Sequence, residues 1–203
     1  MAAFNLRILF VLAFAGVFTL PFVSGQITSN KISGMANQDL PKEKQTTLGL
    51  YVTSKEAHAM WLSAPREIKI IDVRTPEEYI FIGHAQMAWN IPLAFQTYEW
   101  EAEKDQLKFK PNPDFLEEVQ AISESKDTLL VMCRSGGRSA MAINALAKAG
   151  YTHVYQITDG MEGDPVSDPE SDHYGQRLIN GWKNAGLPWT YVLNHERMIL
   201  PKE

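Results

Sequence analysis

Residues 128–150 read TLLVMCRSGGRSAMAINALAKAG, from Thr128 to Gly150, and the parsing of this stretch decides the fold. Leu129–Met132 is a short apolar run of the length expected for a buried strand. It delivers Cys133, the only cysteine in the chain. Arg134-Ser135-Gly136-Gly137-Arg138 predicts a tight loop, because paired glycines let the backbone turn sharply and bring its N–H groups together. A helix is expected from Ser139 to about Ala149, closed by Gly150. Such a helix start adds free N–H donors and a partial positive charge. With two arginines, the whole is a cradle for an anion, which is a thiolate, an oxyanion substrate or both. Positive charge and aimed N–H groups favour the thiolate form of a cysteine. Cys133 is therefore the candidate nucleophile, and Arg134, Ser135, Gly136, Gly137, Arg138 and Ser139 are the candidate binding set. A free cysteine at a strand end is commonly an inert core residue; the coincidence of strand end, glycine loop, arginines and helix start argues against that here.

Outward from this unit, the chain alternates strands and helices. Leu48–Val52 is a strand candidate, and Thr53-Ser54-Lys55-Glu56 is a capping box for a helix to about Leu62. Ala57, Met60 and Trp61 fall on its inner face and His58 on its surface. Ile68–Val73 is a second strand. Thr75, Pro76 and Glu78 supply the N-cap, first-turn proline and box of a short helix to about Phe81. Trp89–Pro92 is a short strand. Ala94–Lys110, amphipathic and charged, is expected as a helix and a loop, and Asp114–Ser123 as a helix. His153–Ile157 is a last strand with Asp159-Gly160 as its turn, and Tyr174–Ala185 is expected as a final helix. This alternation predicts an α/β domain with a central, mainly parallel sheet flanked by helices.

In such a sheet the strand C-termini gather on one edge. Asp72 and Arg74 are therefore expected near Cys133 as supporting residues; a structural ion pair of Arg74 with Glu78 is the competing reading. His84 is weighed as a general base against a hydrogen-bonded structural histidine, and the structural role is preferred. Residues 162–175 form an acidic insertion with Asp164, Asp168, Glu170, Asp172 and His173. Their spacing matches no defined cation loop, so a solvated loop is expected and no metal or other cofactor.

The 203 residues are 45% hydrophobic and 21% charged, which suits one globular domain, and the net charge of −5 argues against nucleic acid as a partner. An anion site must be local against that acidic background. Residues 1–25 differ from the rest: Arg7, then the apolar run Ile8–Val23, then small Ser24-Gly25. That order reads as a secretory signal peptide, with an uncleaved membrane anchor as the alternative. Residues 26–46 read as a polar leader, and 47–203 as the domain. A periplasmic or secreted location follows, with the membrane involved only during export. In an oxidising compartment structural cysteines come in pairs, so an unpaired Cys133 there points to a reactive thiol or intermolecular pairing.

Asp72-Val73-Arg74 leading to Glu78-Tyr79, Gly83-His84-Ala85, Asn90-Ile91-Pro92, the Cys133–Ser139 loop and Trp182 followed by Ala185-Gly186-Leu187-Pro188 resemble a single-domain rhodanese. The resemblance covers about Thr47 to Trp189, and the loop is its specific part. It implies the three-layer rhodanese-like fold and a sulfurtransferase. Sulfane sulfur would pass from an anionic donor such as thiosulfate onto Cys133 as a persulfide, then to cyanide or a thiol acceptor. Arg134 and Arg138 would hold the donor, and an exported redox or sulfur-acceptor protein would be a further partner. Two departures stand out. Asp159-Gly160 replaces a pair of glycines, with an insertion before Trp182, and Gln86-Met87-Ala88 replaces an apolar residue and a glycine. The rival readings are a phosphatase of the related cell-cycle type, or an arsenate reductase, and a non-catalytic binding module. The phosphatase loop has five residues between cysteine and arginine; here four separate Cys133 from Arg138.

Overall fold

Leu129, Leu130, Val131 and Met132 are all fully buried. Apolar side chains covered on both faces belong to an interior strand of a sheet with helices on either side. The computed structural model describes residues 40–201. The expected signal peptide over 1–25, and the leader up to residue 39, lie outside them. Chain order is β1 (Tyr51–Val52), α1 (Ser54–Ser63), β2 (Lys69–Asp72), α2 (Pro76–Ile82), β3 (His84–Ala85), β4 (Trp89–Asn90) and β5 (Ala94–Glu101). Then come β6 (Gln106–Pro111), α3 (Phe115–Ile122), β7 (Leu129–Met132), α4 (Gly137–Lys148), β8 (Val154–Ile157) and β9 (Trp189–Thr190).

The central sheet has the order β1-β8-β7-β2-β4, and every neighbouring pair in it is parallel. β7 lies in the middle, so the Cys133 loop leaves the C-terminal edge at its centre. Alternation sends Ile71, Leu129 and Val131 to one face, where they pack with Phe115, Val119, Ile143 and Leu146 of α3 and α4. Ile70, Leu130 and Met132 point to the other face, against Ala57 of α1, Met161 and Trp182. This is the expected three-layer α/β arrangement.

The helix starts follow local chemistry. The Thr53 and Thr75 side chains accept from the Glu56 and Glu78 N–H groups, and their own N–H groups donate back to the Glu56 and Glu78 carboxylates, forming two complete capping boxes. α4 begins at Gly137, two residues before the expected Ser139, because Gly136 takes a left-handed φ of 114° and turns the chain into helix at once.

Two expectations are corrected. Residues 94–110 form the antiparallel hairpin β5–β6, turned at Asp105 with φ 51°, and not a helix. The charges at helical spacing misled; the alternation in Gln106-Leu107-Lys108-Phe109-Lys110 is the period of a strand. No helix forms over 174–185, which is a series of turns. Leu178 and Ile179 lie exposed while Trp182 is fully buried, and Gly175 and Gly181 adopt left-handed angles that a helix excludes.

Candidate active site

The loop after β7 is built around one residue, Gly136. The Gly136 carbonyl accepts from Ser139 Oγ at 2.8 Å, from Gln156 Nε2 at 2.8 Å and from the Ala140 N–H at 3.1 Å. Held this way, Gly136 points its N–H at the Cys133 sulfur, 3.1 Å away. The Sγ also lies 3.8 Å from Ser139 Oγ. An N–H aimed at sulfur stabilises negative charge there. A Cβ on Gly136 would sit 2.8 Å from the Thr158 carbonyl, so the position requires glycine on both conformation and space. Behind the loop, the Met161 N–H donates to the Cys133 carbonyl at 2.8 Å and the Glu162 N–H to that of Arg134 at 3.0 Å. Gly160, with φ 60°, permits this approach, since a Cβ there would lie 2.5 Å from the Cys133 carbonyl oxygen. Cys133 itself is 2% exposed.

The two loop arginines divide. Arg134 is exposed at the rim. Arg138 is held in a fork by Glu78, Nη1 to Oε2 at 2.5 Å and Nη2 to Oε1 at 2.6 Å. The same Glu78 Oε2 accepts from the Thr75 N–H at 3.1 Å, tying the α2 cap to the cysteine loop. The Arg138 fork is therefore occupied by Glu78, whereas Arg134 is not. Burial opposes the Arg138 charge, but the Glu78 bonds and the Glu78 charge outweigh it and raise its pKa. Burial also works against ionised Glu78, yet Arg138 prevails and its carboxyl stays below the ordinary value.

Asp72 and Arg74 are fully buried beneath the loop and form their own pair, Arg74 Nη2 to Asp72 Oδ2 at 2.7 Å with Nε shared by both oxygens at 3.0 Å. Arg74 also donates to the Gly83 carbonyl at 2.8 Å, and its Nη1 faces Glu162 at 3.9 Å. Its partner is therefore Asp72 and not Glu78. Burial opposes the Arg74 charge, but Asp72 outweighs it and the pKa is raised. His84 is structural: its ring stacks on Tyr79 at 3.7 Å and Nδ1 meets the Tyr79 carbonyl at 3.2 Å. Burial lowers its pKa from the ordinary value. His58, expected on the surface, is half-buried and edge-on to Trp182 at 5.5 Å.

The acidic insertion is an ordered excursion closed at its base. The Trp182 N–H donates to the Gly160 carbonyl at 2.8 Å and the Lys183 N–H to that of Met161 at 3.1 Å, as though the intervening residues were absent. Asp164 and Asn180 exchange bonds at 2.8 and 3.0 Å, and Lys44 pairs with Asp164 at 3.0 Å. Among the described residues its carboxylates and His173 do not gather into a metal-holding group. It brings Arg177 within electrostatic reach of both Arg134 and Cys133. Glu78, Gln156 and Gly160 complete the surroundings of the loop, with Arg177 nearby. Sequence reasoning read Glu78 as a helix cap and Gly160 as a turn, and carried no signal for the other two.

The family model described as the Rhodanese-like domain matches residues 54–163. Thiosulfate sulfurtransferase 16, chloroplastic, of Arabidopsis thaliana is 38% identical over 104 residues, 51% of this chain and 77% of that protein. Protein HIGH ARSENIC CONTENT 1, mitochondrial, from the same organism is 36% identical over 92 residues, 45% of this chain and 49% of that protein. The crystal structure of Rv0390 from M. tuberculosis has a TM-score of 0.55 at 26% identity, covering 70% of this chain and 97% of that chain. The chain belongs to the rhodanese-like family of sulfurtransferases. Membership implies a sulfur donor and a sulfur acceptor as its substrates.

Proposed function

We propose that this protein is an exported thiosulfate:acceptor sulfurtransferase in which Cys133 is the catalytic nucleophile. The observation that carries the reading is the Gly136 N–H aimed at the Cys133 sulfur from a residue whose own carbonyl accepts three hydrogen bonds. The Cys133 thiolate attacks the outer sulfur of thiosulfate; the new S–S bond forms as the old one breaks, and sulfite leaves with its electron pair. The Gly136 N–H stabilises the sulfur that carries the charge, and Arg134 at the rim attracts the dianion. Cyanide or a thiolate then takes the outer sulfur, and the bonding pair returns to Cys133 Sγ. The export part of the reading rests on residues 1–25 alone and places the protein in the periplasm or outside the cell.

The test is intact mass after thiosulfate exposure. The wild type is expected to gain the mass of one sulfur atom and to release thiocyanate on adding cyanide, and Cys133→Ser to do neither. A wild type that never gains sulfur refutes the reading. The phosphatase or arsenate-reducing alternative is disfavoured by the Arg138 fork, which Glu78 already fills. An arsenic-linked name among the relatives makes it worth including: turnover of an aryl phosphate or of arsenate without sulfur transfer would decide for it. Binding to a partner protein that survives Cys133→Ser, with no sulfur transfer by the wild type, would decide for the non-catalytic module.

A further inference from the structure

Beside the cysteine loop lies a cavity of about 480 Å³ lined by Phe81, Glu162, Gln176, Arg177, Lys183 and Tyr191, among others. Thiosulfate is a five-atom dianion and fills a small part of such a volume; pockets of this size hold organic molecules. The cavity shares Glu162 with the site already described, since the Glu162 N–H is bonded to the Arg134 carbonyl at 3.0 Å. Its charge is unbalanced. Among the described residues Arg138 is neutralised by Glu78 and Arg74 by Asp72, whereas Arg134, Arg177 and Lys183 have no carboxylate within ion-pair distance. Two of these cations, Arg177 and Lys183, line the cavity with Glu162 as its one carboxylate, and on a protein of net charge −5 that surplus marks a local anion site.

The cations are also held in place. Arg177 Nη1 donates to the Gly163 carbonyl. Its strand-like backbone pairs with Pro165, the Val166 N–H donates to the Gln176 carbonyl at 2.8 Å, and Asn184 Nδ2 bonds the Arg177 carbonyl at 3.0 Å. Lys183 Nζ donates to the Ile82 carbonyl at 2.9 Å and sits over the Trp189 ring at 3.9 Å, which leaves further N–H donors for a ligand. Arg177 and Lys183 are therefore a preset pair on a closed loop, with Phe81 and Tyr191 as apolar wall.

We infer that Arg177, carried by the insertion, and Lys183 form a distal anion subsite that holds the carboxylates of an organic thiol acceptor while its sulfur reaches Cys133. The inference rests on the sulfurtransferase reading and goes further by assigning the acceptor class and the residues that select it. In the step selected for, the acceptor thiolate attacks the outer sulfur of the protonated Cys133 persulfide. The new S–S bond forms, the Cys133 S–S bond breaks, and its electron pair stays on Cys133 Sγ. The proton remains on the transferred sulfur, so the products are an organic persulfide and the Cys133 thiolate. The carboxylates hold the acceptor and take no part in the bond changes.

Mercaptosuccinate and its dimethyl ester, which share a thiol and differ in charge, are the probes. After loading with thiosulfate, the wild type is expected to discharge to mercaptosuccinate with the higher kcat/KM. Arg177→Gln should lower the ratio of kcat/KM for acid over ester by about tenfold, mainly through KM, the effect of one lost charge-assisted bond. Arg177→Lys should recover part of the ratio. In the unaltered protein the preference should shrink as salt rises. A wild type with no preference for the acid, or a ratio unchanged in Arg177→Gln, overturns the subsite while persulfide formation by mass leaves the sulfurtransferase reading standing. Absence of any persulfide overturns both.

Discussion

Cys133 gains its setting from a single glycine. Gly136 is the one residue that turns the chain at φ 114° and presents its N–H to the sulfur. Gly136→Ala is expected to cost about 1–3 kcal/mol from strain at that φ. It should also slow sulfur loading, because the Cβ would push against the Thr158 carbonyl at 2.8 Å; chemical denaturation and single-turnover loading measure the two effects separately. Glu78 controls the second charge. Glu78→Gln removes the fork that occupies Arg138, so the thiosulfate KM is expected to fall about threefold, the worth of one partly screened charge. The same change should lower stability, and an unchanged or raised KM would show that Arg138 exerts no hold on the donor even when released.

At the level of elements, α2 is more than a spacer between two strands. Its cap Thr75, its box residue Glu78 and the Cys133 loop are one hydrogen-bonded unit. The end of α2 leads into Gly83 and His84, which stacks on Tyr79 of the same helix. The pH response of stability follows from these two groups. His84 has a folded pKa below its ordinary 6.5, so the unfolded chain binds the extra proton first. Stability is fully present above about pH 6.5 and declines as pH falls from there toward the folded value. Glu78, whose folded pKa lies below the ordinary 4.5, adds a second decline as pH falls through that lower range. Urea midpoints across this range, with His84→Gln lacking the first decline, check the assignment. The hairpin β5–β6 leans on the same unit through Phe109, 5.8 Å from the Arg138 guanidinium.

Across the whole molecule, the insertion separates cleanly from the fold that carries it. The bonds from Trp182 and Lys183 to Gly160 and Met161 close the chain beneath it, and a Cβ on Gly181 would touch the Gly163 nitrogen at 2.4 Å. Excising 164–180 and joining Gly163 to Gly181 is therefore expected to leave a cooperatively folding protein whose Cys133 still gains sulfur by intact mass. Trp182 is the anchor on the far side of that closure: fully buried against Leu130 and Met132, with its indole N–H on the Pro188 carbonyl at 2.9 Å. Trp182→Ala should cost about 3–5 kcal/mol, read as a lower denaturation midpoint.

The sequence by itself determined the central strand, the cysteine loop, both capping boxes and the parallel α/β class, because each follows from contacts within a few residues or from simple periodicity. Apolar Leu129–Met132 has to be interior, Thr75-Pro76-Glu78 has to start a helix, and Cys133 has to emerge beside a glycine turn. Only the tertiary structure decided which charges remain free. Arg138 is spent on Glu78 and Arg74 on Asp72, while Arg177 and Lys183 line one cavity from a segment misread as helix. Ion pairing depends on which side chains meet across elements, and periodicity carries no record of that; nor does it show that Gly160 and Trp182 join hands beneath the insertion. The cysteine loop was legible because its surroundings are consecutive in the chain, and the unpaired charges were not, because theirs are assembled by folding.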